Sequence, residues 1–153
     1  MLSCERCSVA SQPISKLTEQ EYLAIERAAE SKSEFLDGEM FAMAGASSRH
    51  VLLQRNLLIE VHTAVRLHGR QAIGSDGRVR VSEHAYFYPD VSVFCGAVET
   101  TDQHDDNFIN PVVIFEVLSP STERYDRGVK FQRYRTIGSL TDLCPGKPGA
   151  DAR

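Results

Sequence analysis

Residues 110–122 read Asn110-Pro111-Val112-Val113-Ile114-Phe115-Glu116-Val117-Leu118-Ser119-Pro120-Ser121-Thr122. Residues 112–118 are apolar, mostly β-branched or aromatic, and bounded by prolines, the pattern of a strand buried on both faces. Glu116 alone interrupts the run. A carboxylate taken out of water is strongly destabilising unless a cation or hydrogen-bond donors meet it. A metal ion, a lysine or an arginine would each serve, so the rest of the chain is read for that partner.

Upstream, Tyr86-Phe87-Tyr88-Pro89-Asp90-Val91-Ser92-Val93-Phe94 contains a proline that suits only the start or the edge of a strand. Asp90 therefore stands at a strand's mouth. Residues 99–107 are acidic, polar and without period, a surface loop leading into the Glu116 strand. Downstream of Ser121 the chain turns helical. Tyr125, Val129, Phe131, Tyr134 and Ile137 form an apolar stripe, and Arg124, Arg127, Lys130, Arg133 and Arg135 make the segment basic. Beyond Leu140 the run from Cys144 to Arg153 has no apolar period and much Pro and Gly. The organisation expected is a flexible leader over residues 1–16, one domain over 17–140 and a disordered tail over 141–153.

In the first half, Thr18-Glu19-Gln20-Glu21 has capping-box form. It predicts a helix from residue 18 to about residue 31 with Tyr22, Ile25, Ala28 and Ala29 on its apolar face. Asp37-Gly38 between short apolar stretches signals a hairpin. Ser47 and Ser48 are good caps for a long helix carrying Val51, Leu57, Leu58, Val61 and Val65, stopped near Gly69. Residues 71–75 and 78–82 are strand candidates around a second Asp-Gly turn, Asp76-Gly77. Arg78-Val79-Arg80-Val81 alternates, giving one cationic and one apolar face.

The 153 residues suffice for one core, and 42% hydrophobic with 25% charged content is ordinary for a globular domain. No apolar run is long enough to cross a bilayer, and the first residues lack a signal-peptide layout, so a cytoplasmic protein without membrane contact is expected. A formal charge of −4 argues against non-specific coating of nucleic acid but leaves room for a local basic groove. Cys4-Glu5-Arg6-Cys7 has half of a zinc-knuckle spacing with nothing to complete it, and reads as two thiols.

Asp90 and Glu116 thus stand on adjacent-looking strands, a pair that suits a hard divalent cation such as Mg²⁺. Lys130, on the helix leaving the Glu116 strand, is placed to reach back over the strand's end. Together they would make a phosphodiester-cleaving site. Plainer readings stand beside this one. Arg78 or Arg80 would neutralise Glu116 in a structural ion pair, Asp90 would be a turn residue, and Lys130 would pair on the surface with Asp126.

Tyr88-Pro89-Asp90-Val91-Ser92-Val93, the run from Val112 to Thr122, and Tyr125-Asp126-Arg127-Gly128-Val129-Lys130-Phe131 with Tyr134 resemble the Uma-two family of restriction-endonuclease-like proteins in the PD-(D/E)XK nuclease superfamily. Leu36-Asp37-Gly38-Glu39, Ala42-Met43-Ala44-Gly45-Ala46 and His50 extend the similarity over about residues 17–140. The resemblance implies an α/β, restriction-endonuclease-like fold: a central mixed sheet flanked by helices. It further implies endonuclease activity on DNA with Mg²⁺ or Mn²⁺, metal held by Asp90 and Glu116, and a catalytic set of Asp90, Glu116 and Lys130. The superfamily lysine two residues after the acid is Leu118 here, and Lys130 is the lysine on the following helix offered in its place. Glu34, Glu39 and His50 are accessory candidates, and Arg124, Arg127 and Arg133 are candidate DNA contacts. Nucleases of this kind often act as dimers, which makes a homodimer a further expectation. Family members continue past the position of Leu140 with strands that the Pro/Gly-rich tail does not resemble, so C-terminal strands are expected to be missing, as in a truncated or frame-shifted copy. The alternative is an inactive remnant that binds DNA or protein.

Overall fold

The computed structural model describes residues 16–43, 45–119 and 125–146. Helix α1, Glu19–Ala28, starts as its capping box requires: Thr18 N–H donates to Glu21 Oε2 at 2.8 Å and Glu21 N–H to Thr18 Oγ1 at 3.3 Å. Its buried residues are Tyr22 and Glu26, whereas Ile25, Ala28 and Ala29 are exposed. The apolar face expected for α1 is therefore corrected. Glu26 turns inward because its carboxylate accepts Ser33 N–H at 2.9 Å and the Tyr88 hydroxyl at 2.8 Å, which also ends the helix early by capturing the chain behind it.

Strands β1, Ser33–Leu36, and β2, Glu39–Ala42, form the expected hairpin, with Asp37 and Gly38 at φ of 50° and 90° in the turn. Helix α2, Ser48–Val65, is capped by Ser47, whose hydroxyl accepts His50 N–H. A 3₁₀ turn, Arg66–His68, extends it to Gly69, which stops it at φ 67°.

Strands β3, Arg70–Gly74, and β4, Arg78–Ser82, flank Asp76-Gly77 as expected but do not pair with each other. The turn instead carries the chain between sheets. Gly77 N–H donates to Gly74 O, and a Cβ on Gly77 would lie 2.5 Å from Ile73 Cγ2, so the close approach needs glycine.

The remaining strands are β5, Ala85–Phe87; β6, Val91–Cys95; β7, Asn107–Phe108; β8, Pro111–Val117; and β9, Asp142–Gly146. The α/β class and the mixed pairing stand, but the single central sheet is two: a five-stranded sheet ordered β2-β1-β5-β4-β7 and a four-stranded sheet ordered β3-β6-β8-β9. Each is antiparallel apart from one parallel pair, β4 with β7 and β8 with β9. The three residues between β5 and β6, Tyr88-Pro89-Asp90, cross from one sheet to the other.

Strand β9 corrects the tail expected over 141–153, as far as residues 142–146 are concerned. The Pro/Gly content argued against an element, yet an edge strand tolerates a residue lacking N–H on its open side. Leu143 packs against the core, and Thr141 N–H donates to Val112 O at 2.8 Å, setting the register of β9 along β8. One strand therefore follows Leu140, at the sheet edge beside β8, where C-terminal strands were expected to be missing. The leader with Cys4 and Cys7, and the residues past 146, lie outside the described residues.

The main core joins Val79, Ala85 and Phe87 of one sheet to Ile114 of the other and to Tyr134 and Ile137. A π-helical turn, Asp126–Lys130, leads into the short helix α3, Phe131–Tyr134, which delivers Tyr134 to that core. No helix among the described residues is long and apolar enough to cross a membrane.

Candidate active site

Strands β6 and β8 run antiparallel with Val91 opposite Phe115, so the next pair outward sets Asp90 opposite Glu116. Both are buried, at 7% and 8% exposure. Asp90 is held by three donors: Val117 N–H reaches Oδ2 at 2.6 Å, Gln54 Nε2–H reaches Oδ1 at 2.6 Å, and His50 Nε2 lies 3.2 Å from the same Oδ1. Gln54 and His50 are four residues apart on α2, hence on one face.

Lys130 answers the question posed by Glu116. Its ammonium lies 3.0 Å from Glu116 Oε1 and donates to Glu34 Oε1 at 2.9 Å. It is 5% exposed, with the rings of Phe87 and Tyr134 around it. Neither arginine serves. Arg78 binds Asn107 and Asp106, and Arg80 binds Glu19 and the Tyr86 hydroxyl. Lys130 itself is buried rather than standing on the surface of its helix.

Glu116 also accepts the Tyr134 hydroxyl at 2.7 Å. Its pKa is nonetheless pushed up to about 7, because burial outweighs the neighbouring ammonium and the Asp90 charge adds to it. Glu34, from β1, accepts both the ammonium and Tyr88 N–H. Of the two hairpin glutamates Glu34 thus joins the site, while Glu39 is exposed on β2.

These groups line a cleft of about 980 Å³ that includes Glu34, His50, Gln54, Asp90, Glu116 and Lys130, with Lys32, Tyr88 and Tyr125 among its other walls. Two carboxylates, Glu34 and Glu116, meet the buried Lys130 ammonium, and Asp90 stands opposite Glu116 with no cationic lysine or arginine on it among the described residues. Asp90 and Glu116 are the pair able to hold a hard divalent ion that keeps most of its waters. Among the described residues no group of three or more His, Cys, Asp and Glu forms a ready cage. Arg133 pairs with Asp37 at 2.5 Å and does not line the cleft, and neither does the exposed Arg127. Arg124 lies outside the described residues.

Gln54 and Tyr134 are the residues that the sequence reading missed as members of the site. Gln54 lies on the same face as His50, and Tyr134 is four residues after Lys130, so helical spacing from two suspected residues was the available signal.

The fold is nuclease-like: the chain is similar to the crystal structure of a protein titled "putative nuclease belonging to DUF820" from Anabaena variabilis, with TM-score 0.69, 20% identity, and coverage of 84% of this chain and 74% of that one. The chain belongs to the Uma2 (Uma-two) family, whose description is "Putative restriction endonuclease" and whose pattern matches residues 19–141. Two relatives from Synechocystis are each 39% identical: "Uncharacterized protein sll1609" over 82% of this chain and 72% of its own length, and "Uncharacterized protein slr1290" over 86% and 69%.

Proposed function

We propose that this chain is an endodeoxyribonuclease that hydrolyses DNA phosphodiester bonds with the aid of Mg²⁺ or Mn²⁺. The observation that carries the reading is the convergence in one cleft of Asp90 and Glu116, opposed on neighbouring strands, with the Lys130 ammonium on Glu116. A structural ion pair would need one carboxylate, whereas Lys130 meets two, Glu34 and Glu116, with Asp90 opposite Glu116. The family description and the nuclease title of the structural relative point the same way.

When bound, the ion would polarise the phosphate and lower the pKa of a water at neutral pH. Asp90 and Glu116 would hold it. Asp90 is kept in one orientation by Gln54, His50 and the Val117 amide, so its oxygens need no reorganisation on binding. Lys130 supplies a fixed positive charge for the negative charge that develops on the phosphate oxygens. Glu34 and Tyr134 anchor that lysine–glutamate pair from either side.

Plasmid nicking with and without EDTA tests the reading. Cutting is expected in Mg²⁺ or Mn²⁺ alone and is lost in Asp90→Asn and Glu116→Gln, each of which removes a hard oxygen ligand while nearly keeping shape. Undiminished cutting by both variants in chelator would refute it. Binding of DNA by the wild type without any cutting would favour the inactive binding module.

A further inference from the structure

Apart from the buried Lys130, the lysine among the described cleft-lining residues is Lys32. It sits between α1 and β1, and its situation is the opposite of Lys130's. Its side chain is 37% exposed, and its ammonium donates to Asp76 Oδ1 at 2.8 Å and to Ser75 O at 3.0 Å. Asp76 is 99% exposed. A pair whose acid stands wholly in water holds its partners weakly and gives way readily to a competing anion. The Tyr88 ring lies 5.3 Å below the ammonium and limits where the lysine stem can go.

Resting on the nuclease reading, we propose that Lys32 is a phosphate contact of the cleft: on binding, its ammonium exchanges Asp76 for a backbone phosphate oxygen of DNA beside the one to be cut. The cleft otherwise presents carboxylates, which repel phosphate. An exposed cation on its wall offsets that repulsion for a flanking phosphate, while the buried Lys130 stays beside Glu34 and Glu116, where the phosphate to be cut would lie. Asp76, next to the cleft-lining Ser75, then acts as a placeholder for the ammonium until a phosphate arrives. The contact positions the backbone and reads no sequence.

Fluorescence anisotropy of a labelled duplex, with Ca²⁺ replacing Mg²⁺ to limit cutting, gives the test. Lys32→Met should weaken binding several-fold for any duplex sequence, and should reduce the slope of log K against log salt by about 0.9, the share of one phosphate contact. Lys32→Arg should restore the slope. Asp76→Asn should bind as well as the wild type or better. An unchanged salt slope in Lys32→Met, with wild type that binds and nicks DNA, would overturn this inference and leave the nuclease reading intact. Equal weakening by Asp76→Asn and Lys32→Met would overturn it also, by making the pair structural. A wild type that neither binds nor cuts DNA would overturn the nuclease reading itself.

Discussion

Glu116 carries opposing demands: an ammonium at 3.0 Å favours its charge, and burial with Asp90 opposite disfavours it. With a folded-state pKa near 7 against the ordinary 4.5, the folded protein binds more protons than the unfolded chain between those values. The contribution of Glu116 to stability is therefore fully present below about pH 4.5 and is lost as pH rises through 7. Glu19, Asp102 and Asp106 act in the opposite sense, since their arginine partners help hold their carboxyls below the usual range. The useful quantity is thus a difference. In metal-free protein, urea unfolding of wild type and Glu116→Gln should diverge with pH, the wild type losing stability relative to the variant from pH 4.5 to 7, by about 1–3 kcal/mol in all. Parallel curves would mean that folding leaves the Glu116 pKa unshifted. The sequence disclosed that Glu116 needed a cation but left three candidates. Choosing Lys130 required knowing that Arg78 and Arg80 are engaged by Asp106 and Glu19, acids far away in the chain.

Strand β9 is the element where local and tertiary signals part. Its parallel register along β8 sets Leu143 opposite Ile114, and Leu143 packs on the main core. Leu143→Ala should cost about 2 kcal/mol, less than a fully buried leucine because this one is only partly covered. Urea denaturation measures it, and a change within about 0.5 kcal/mol, as for a surface site, would show that β9 contributes little. Elements with a strong local code were legible: the capping box of α1, the Asp37-Gly38 hairpin, and α2 from Ser47 to Gly69. Those set by partners were not. Nothing local distinguishes the Asp76-Gly77 turn, which passes between sheets, from the Asp37-Gly38 turn, which closes a hairpin. Likewise the composition of residues 142–146 conceals a strand that exists because β8 offers it an edge.

At the scale of the molecule the site occupies the junction of the two sheets. Asp90 closes the short link from β5 to β6, Glu34 comes from the five-stranded sheet, and Glu116 from the four-stranded one. Lys130 belongs to neither sheet, yet it touches both through those two glutamates. Breaking a buried pair of this kind is worth about 3–5 kcal/mol, a large share of the stability of an ordinary domain. One ammonium then works as a rivet, and the opening motions of the sheets are coupled through it. Native-state hydrogen exchange would read the coupling as a shared opening free energy. In Lys130→Met the amides of β1 and β8, on opposite sides of the seam, should lose protection together. Loss confined to α3 would mean that the lysine merely decorates its own helix. Shared loss across the seam would make the ammonium that bridges Glu34 and Glu116 the reason the two sheets unfold as a single cooperative unit.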